Sequence, residues 1–161
     1  GCAEKVEILA DGSIPQVEMT SAGLNDGALA AEGTYPAAIC CNLYNAKIWK
    51  KGHIPVMGNN GRMPFVTCRD DERFVADLCD DAVMGYKYFA FDGKVTLTVT
   101  YRGQGSVSVC DETKTLGELT LAPSVEWCKA SVEITEKGTH ALYLKTKGDT
   151  MCDILDFSFS R

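Results

Sequence analysis

Few side chains in this sequence have a chemistry that a binding or catalytic site would use. Trp127 stands in "VEWCKASVEI". An exposed ring there offers a flat apolar face, against which the apolar surface of a ligand stacks through dispersion and apolar burial. A ring that closes a strand end packs for the same reason, and the sequence leaves both roles open. Asp153, in "MCDILDFSF", either accepts hydrogen bonds from ligand hydroxyls as an ionised carboxylate or is solvated in a loop. Phe74, in "RFVADL", is either a second platform or core. Trp49, in "NAKIWKKGH", is either an anchor for a partner surface or a cover for a sheet edge.

The acidic runs "RDDE" at 69–72 and "DLCDD" at 77–81 offer oxygens to a calcium ion. They lack the spacing of an EF-hand loop and read more simply as solvated turns. Catalytic motifs are scarce. There are two histidines, His53 and His140, and the second sits inside the strand-like run "GTHALYL". No G-x-S-x-G elbow and no H-E-x-x-H run is present. The spacing singles out no carboxylate pair for acid–base work. "RGQGSV" has two glycines between strand patterns, so it reads as a hairpin turn and not as a phosphate loop.

The elements that must position these groups are strands. Val95, Leu97, Val99 and Tyr101 alternate with Lys94, Thr96, Thr98 and Thr100, the pattern of a half-buried antiparallel strand with a threonine outer face. Just before it, "MGYKYFAFDG" crowds four rings together. Strict alternation places Tyr86 and Tyr88 on one face and Phe89 and Phe91 on the other, with Asp92-Gly93 turning the chain. "AAICCNLY", "PFVTCR", "RFVADL", "SVSVC", "LGELTL", "WCKASVEI", "HALYLKT" and "CDILDFSF" are further strand candidates. "APS", "TEKG" and "TKGDT" are expected to turn the chain between the later ones, and "KKGHIPVMGNNGRMP" reads as a long loop. No segment carries a convincing amphipathic helix. The expectation is an all-β chain, a β-sandwich. Residues 1–34 read as an extended lead-in in which "IPQVEM" could form a short strand; residues 35–161 read as the sandwich.

With 161 residues and 45% hydrophobic content, one domain with a real core is expected. The net charge of −6 speaks against a nucleic-acid partner, and no apolar run reaches the length of a membrane span. None of the eight cysteines forms a C-x-x-C pair. Several replace small apolar residues in strand patterns, so most read as buried free thiols, which favours a reducing setting.

"GYKYFAFDGKVTLTVTYRG" and "WCKASVEITEKGTHALYLKTKGDTMCDILDFSF" resemble family 6 carbohydrate-binding modules. "DGSIPQVEMTSAGLNDGALAAEGTYPAAICCNLY" resembles the segment that follows the propeller in family 43 glycoside hydrolases, which are β-xylosidases and arabinofuranosidases. The resemblance implies a jelly-roll β-sandwich of two antiparallel sheets, a non-catalytic module that targets a hemicellulose-degrading enzyme to xylan or arabinoxylan. The alternative is a structural domain that packs on the catalytic propeller and binds no sugar of its own. It implies two partners, a plant cell-wall polysaccharide and a catalytic domain in the same parent chain, and neither nucleic acid nor membrane. It also implies a sugar site between two rings at one end of the sandwich, with Trp127 as one ring, Phe74 nearest the place of the other, and Asp153 where the family carries an asparagine. No cofactor is expected. The family's structural calcium uses acids in the opening strand and an aspartate in the last; here those places hold "ICCNLY" and Leu155, so its usual ligands are missing.

Overall fold

The computed structural model describes residues 3–49 and 63–161. The chain is built from strands β1 (Leu29–Ala30), β2 (Gly33–Pro36), β3 (Asn42–Asn45), β4 (Phe65–Arg69), β5 (Glu72–Cys79), β6 (Ala82–Cys110) and β7 (Thr115–Ser160). A 3-10 turn at Ala37–Ile39 and a four-residue helix α1 (Ala46–Trp49) are the helical pieces among the described residues. The loop expected around His53 and the side chain of Trp49 lie outside the described residues.

Two very long strands dominate. β6 has 29 residues and β7 has 46. They form one antiparallel hairpin that runs from Cys110↔Thr115 at its tip, through Gly103↔Ser124, to Val83↔Lys145. The hairpin is then folded over. Residues 143–160 of β7 return along the other edge of residues 96–110 of β6. Residues 83–91 thus join β1, β3 and residues 138–145, while residues 95–103 lie between residues 124–134 and 152–160. β5, β4 and β2 extend the second group, with β5 and β2 pairing directly to β7. This is the β-sandwich expected from the pattern, in the jelly-roll form that the resemblance implies, with long strands bending from one layer into the other.

The expected turns at Asp92-Gly93 and "RGQG" are therefore bends within β6, and "APS", "TEKG" and "TKGDT" lie within β7. Gly93 and Gly138 show why glycine marks a bend as readily as a turn. They sit at neighbouring registers, Gly93 opposite Glu136 and Gly138 opposite Phe91, with φ of 119° and 91°. Side chains rarely adopt that backbone.

The hairpin closes at 111–114. Asp111 is buried, and its Oδ1 accepts from the backbone N–H groups of Thr113 (2.6 Å) and Lys114 (2.7 Å) and from the Thr113 hydroxyl (3.0 Å). Burial pushes the carboxyl up, but these hydrogen bonds outweigh it and hold it below the ordinary aspartate value.

The core lies between the layers. Val95, Leu97, Val99 and Tyr101 are buried as the alternation requires. The rings of the preceding stretch do not divide between faces as expected. Tyr86 pairs with Leu142 and Phe89 with His140, so β6 spends three steps where β7 spends two. The extra residue is a bulge that returns Phe89 to the face of Tyr86. Tyr86, Phe89 and Phe91 are all buried and meet Phe157, Phe159 and Tyr35. The Tyr86 and Phe157 centroids are 4.7 Å apart, and the Tyr86 hydroxyl donates to the Ala37 carbonyl at 3.0 Å.

The bulge also tethers the lead-in. Lys87 Nζ meets Glu18 at 2.7 Å, the Tyr88 hydroxyl donates to the same carboxylate at 2.9 Å, and Ser21 N–H donates to the Lys87 carbonyl at 2.6 Å. Residues 14–19 form no strand, so "IPQVEM" is an ordered but unpaired segment. Strand pairing begins at Leu29, ahead of the Tyr35 boundary read from the sequence. Cys110 and Cys152 are buried thiols, and Cys68 is exposed.

Replacing Asp111 by alanine removes three acceptor contacts at a buried turn and is expected to cost about 1–3 kcal/mol in chemical denaturation. Because the folded carboxyl lies below its ordinary value, its contribution is present above the unfolded aspartate range and is lost as pH falls through the folded value. The variant should lack that part of the acid sensitivity. A variant within about 0.5 kcal/mol of the parent would remove the turn from this role.

Candidate functional site

The register of the second layer decides what meets at one end of the sandwich. Tyr101 of β6 faces Cys128 on one side and Ile154 on the other, and Arg102 faces Asp153. Arg102 is thus carried between the strand segment of Trp127 and that of Asp153. β5 completes the group, because Val75 pairs with Ile154 and places Phe74 and Glu72 nearby.

These five side chains form one unit. The Arg102 guanidinium lies 4.7 Å from the Phe74 ring centroid and 4.5 Å from that of Trp127. The two rings meet edge to face at 5.5 Å and 71°. Trp127 Nε1–H donates to Glu72 Oε2 at 2.8 Å. Arg102 Nε–H donates to Asp153 Oδ2 at 2.8 Å, and Nη2 lies 2.8 Å from the same oxygen. The other oxygen of Asp153 accepts the Asp77 backbone N–H at 3.1 Å. A guanidinium over an aromatic face is held by the ring quadrupole, and a carboxylate pair fixes its plane. Trp127 is half-buried and is braced at its nitrogen, at one edge and by a cation.

The three residues expected at a site therefore do lie together, with roles that differ from a two-ring clamp. Phe74 is 2% exposed and offers no face of its own to a ligand in this arrangement. Val75 and Ala76 are buried as well, so β5 is covered on both sides here, and the outer cover of Phe74 is Arg102 with Trp127. Asp153 is part-buried, and both of its oxygens already accept from the protein, one from the Asp77 N–H and the other from Arg102. Arg102 is the member that sequence reasoning missed, because "RGQG" was read as a turn. Its signal was parity: Tyr101 closes the inward stripe, so Arg102 must point outward.

A shallow groove of about 500 Å³ lies further along the same strands, bordered by Gln104, Ser106, Leu121, Pro123, Lys147 and Asp149. On the first layer, Gly85 leaves room for Tyr143 to lie across it; a Cβ there would come within 2.8 Å of the ring. Tyr143 is half-buried, with Lys145 Nζ 5.5 Å from its centroid.

The acidic runs are occupied with turns and ion pairs. Asp70 and Asp71 form the β4–β5 turn with positive φ. Asp80 and Asp81 pair with Lys47, whose pKa they raise, and Asp80 also accepts from the Gly148 N–H at 2.7 Å. Leu155 and the Ile39–Tyr44 run offer no carboxylate, so these positions do not fit the calcium ion that the resemblance implies. Asp111, Glu112 and His140 lie within 4.8 Å of one another. Asp111 is engaged in its turn, Glu112 accepts the Ala141 N–H at 2.9 Å, and His140 Nε2 is 2.8 Å from the Lys137 carbonyl.

No family model matches the chain. It is 33% identical to a xylosidase/arabinosidase from Thermoclostridium stercorarium, in an alignment that takes in 98% of this chain and 36% of the relative. The chain therefore spans about a third of that protein. A family 6 carbohydrate-binding module from Clostridium cellulolyticum, solved with xylose, superposes with a TM-score of 0.65 at 15% identity, over 82% of this chain and 99% of the module. A β-1,3-glucan-binding family 6 module from Bacillus halodurans gives 0.64 at 14% identity, over 84% of this chain and 100% of that one. A family 43 arabinoxylan arabinofuranohydrolase from Bacillus subtilis gives 0.62 at 15% identity, over 98% of this chain and 33% of the enzyme. The chain is a β-sandwich of the family 6 carbohydrate-binding-module kind, and it resembles a portion of a family 43 glycoside hydrolase.

Proposed function

We propose that this chain is a non-catalytic carbohydrate-binding module that holds a hemicellulose-degrading glycoside hydrolase close to xylan or arabinoxylan. The observation that carries the reading is Trp127, a half-buried ring fixed by Glu72, Phe74 and Arg102 at the sandwich end. A ring held in place loses little freedom when a pyranose stacks on it, so the apolar contact is not offset by ordering. The fold shared with modules solved with bound sugars, and the relative named as a xylosidase/arabinosidase, support the ligand class. Weak binding suffices, because tethering raises the concentration of enzyme at the polymer.

A second observation bears on the partner. Val6, Ile8, Leu9, Ile14, Val17, Met19 and Leu24 are exposed, although the lead-in that carries them is tied to the sandwich through Glu18 and Ser21. An ordered segment with outward apolar side chains is a surface prepared for cover. The family 43 enzyme matches 98% of the chain, a share that must take in most of this lead-in, whereas free-standing modules match 82–85%. Both facts support a catalytic domain of the same polypeptide as the cover.

Affinity electrophoresis should show retardation of the chain in xylan or arabinoxylan gels, and Trp127→Ala should weaken it by about tenfold or more without loss of fold. No retardation in xylan, arabinoxylan or β-1,3-glucan gels would sink the reading; retardation unchanged in the variant would move the site elsewhere, with Tyr143→Ala as the next variant. For the lead-in, Ile8→Asp with Val17→Asp should lower the unfolding temperature of the polypeptide that contains the hydrolase domain, while the isolated 161-residue chain is unaffected. Equal melting of the longer protein with and without the substitutions would remove the interface.

A further inference from the structure

We propose that Arg102 is the hydrogen-bonding contact for the sugar at the Trp127 site, and that the site takes an uncharged sugar; this rests on the carbohydrate-binding reading above. Asp153 is the polar group expected to meet sugar hydroxyls, and both of its oxygens already accept from the protein. One oxygen takes the Asp77 N–H at 3.1 Å and the other takes the Arg102 fork, with Nε and Nη2 each at 2.8 Å. Glu72 uses one oxygen, Oε2, to accept from Trp127 Nε1–H.

A guanidinium carries five N–H donors in a fixed plane. Two of those of Arg102 go to Asp153, and the others meet no acceptor among the described residues. The side chain is 26% exposed, so it is not sealed away. It is also the most firmly placed polar group of the site, because two rings hold its face and a carboxylate holds its edge. Sugar hydroxyl and ring oxygens are acceptors that such donors suit, and an aligned guanidinium loses little entropy when it binds them.

The charges then select. Two carboxylates, Asp153 and Glu72, stand against one guanidinium in this group. A uronic acid approaching Arg102 would compete with Asp153 and face Glu72, whereas a neutral pentose or hexose meets no such repulsion.

The two candidate ligands, Arg102 and Asp153, predict opposite outcomes for one substitution. Arg102→Met keeps a stem between Phe74 and Trp127, removes the donors and releases Asp153. Titration calorimetry with xylotetraose should show affinity falling by about tenfold or more, the scale of a lost charge-assisted hydrogen bond. Unchanged or tighter binding would overturn the assignment and return the role to Asp153. A measurement on the unaltered chain guards against a variant that shifts Trp127: the ¹H–¹⁵N resonance of Arg102 Nε should move on saturation with xylotetraose, and a stationary resonance would overturn the proposal. A xylotetraose bearing a uronic-acid branch should bind no more tightly than the unbranched sugar; tighter binding would overturn the charge selection. If the unaltered chain binds no neutral oligosaccharide at all, the carbohydrate-binding reading itself falls, an outcome distinct from binding that persists without Arg102.

Discussion

The β6–β7 ladder is the constraint on which everything else depends. A single antiparallel hairpin, closed by the buried carboxylate of Asp111, runs nearly the length of the molecule before it folds over on itself. Hydrogen bonding alone would leave it an open ribbon. Folding becomes favourable because the inward stripe of each arm is apolar, so bending lays Val95, Leu97, Val99, Phe157 and Phe159 of one layer against the Tyr86 cluster of the other. The bends need backbone that side chains resist, and Gly93 and Gly138 supply it at neighbouring registers. Closure, burial and bending are thus three requirements on one element.

The candidate site follows from that ladder. Residues 95–103 have a β7 segment on each side, one carrying Trp127 and the other Asp153. A side chain that points outward at residue 102 has no choice but to lie between them. An arginine there satisfies both neighbours, since its plane suits the ring and its edge suits the carboxylate. Phe74 is recruited from β5 as a backing layer, which makes its burial a consequence of the same placement.

The sequence displays some of this clearly and hides the rest for physical reasons. Strand class and the Val95–Tyr101 stripe are legible because alternation is a direct record of one-sided burial. "DG", "RGQG" and "TEKG" mislead because a glycine with positive φ serves a bend inside a ladder as well as a reversal, and only the partner strand tells them apart. The division of the rings fails at one bulged residue between Tyr86 and Phe89, which alternation cannot register. "IPQVEM" has strand-like composition but no strand partner among the described residues, and Ile14 and Val17 are exposed. At the site, Trp127 and Asp153 stand out by resemblance, and the structure sets them together. Their relation is invisible without Arg102, which sits far away in sequence and next door in register.

The pairing of β2 with the end of β7 has a directional meaning. Gly33 lies beside Phe159, and Arg161 reaches Asp92 close to Ala31 and Ala90. The chain therefore enters and leaves the sandwich at one end. Asp153 lies further back along the same strand, roughly 25 Å from Arg161 at the rise of an extended chain. Arg102, opposite Asp153, and Trp127 beside it are set back from that end by the same stretch of strand. On the proposed carbohydrate-binding reading, the stacking ring would meet its sugar away from that end, like a grip at the far end of a handle.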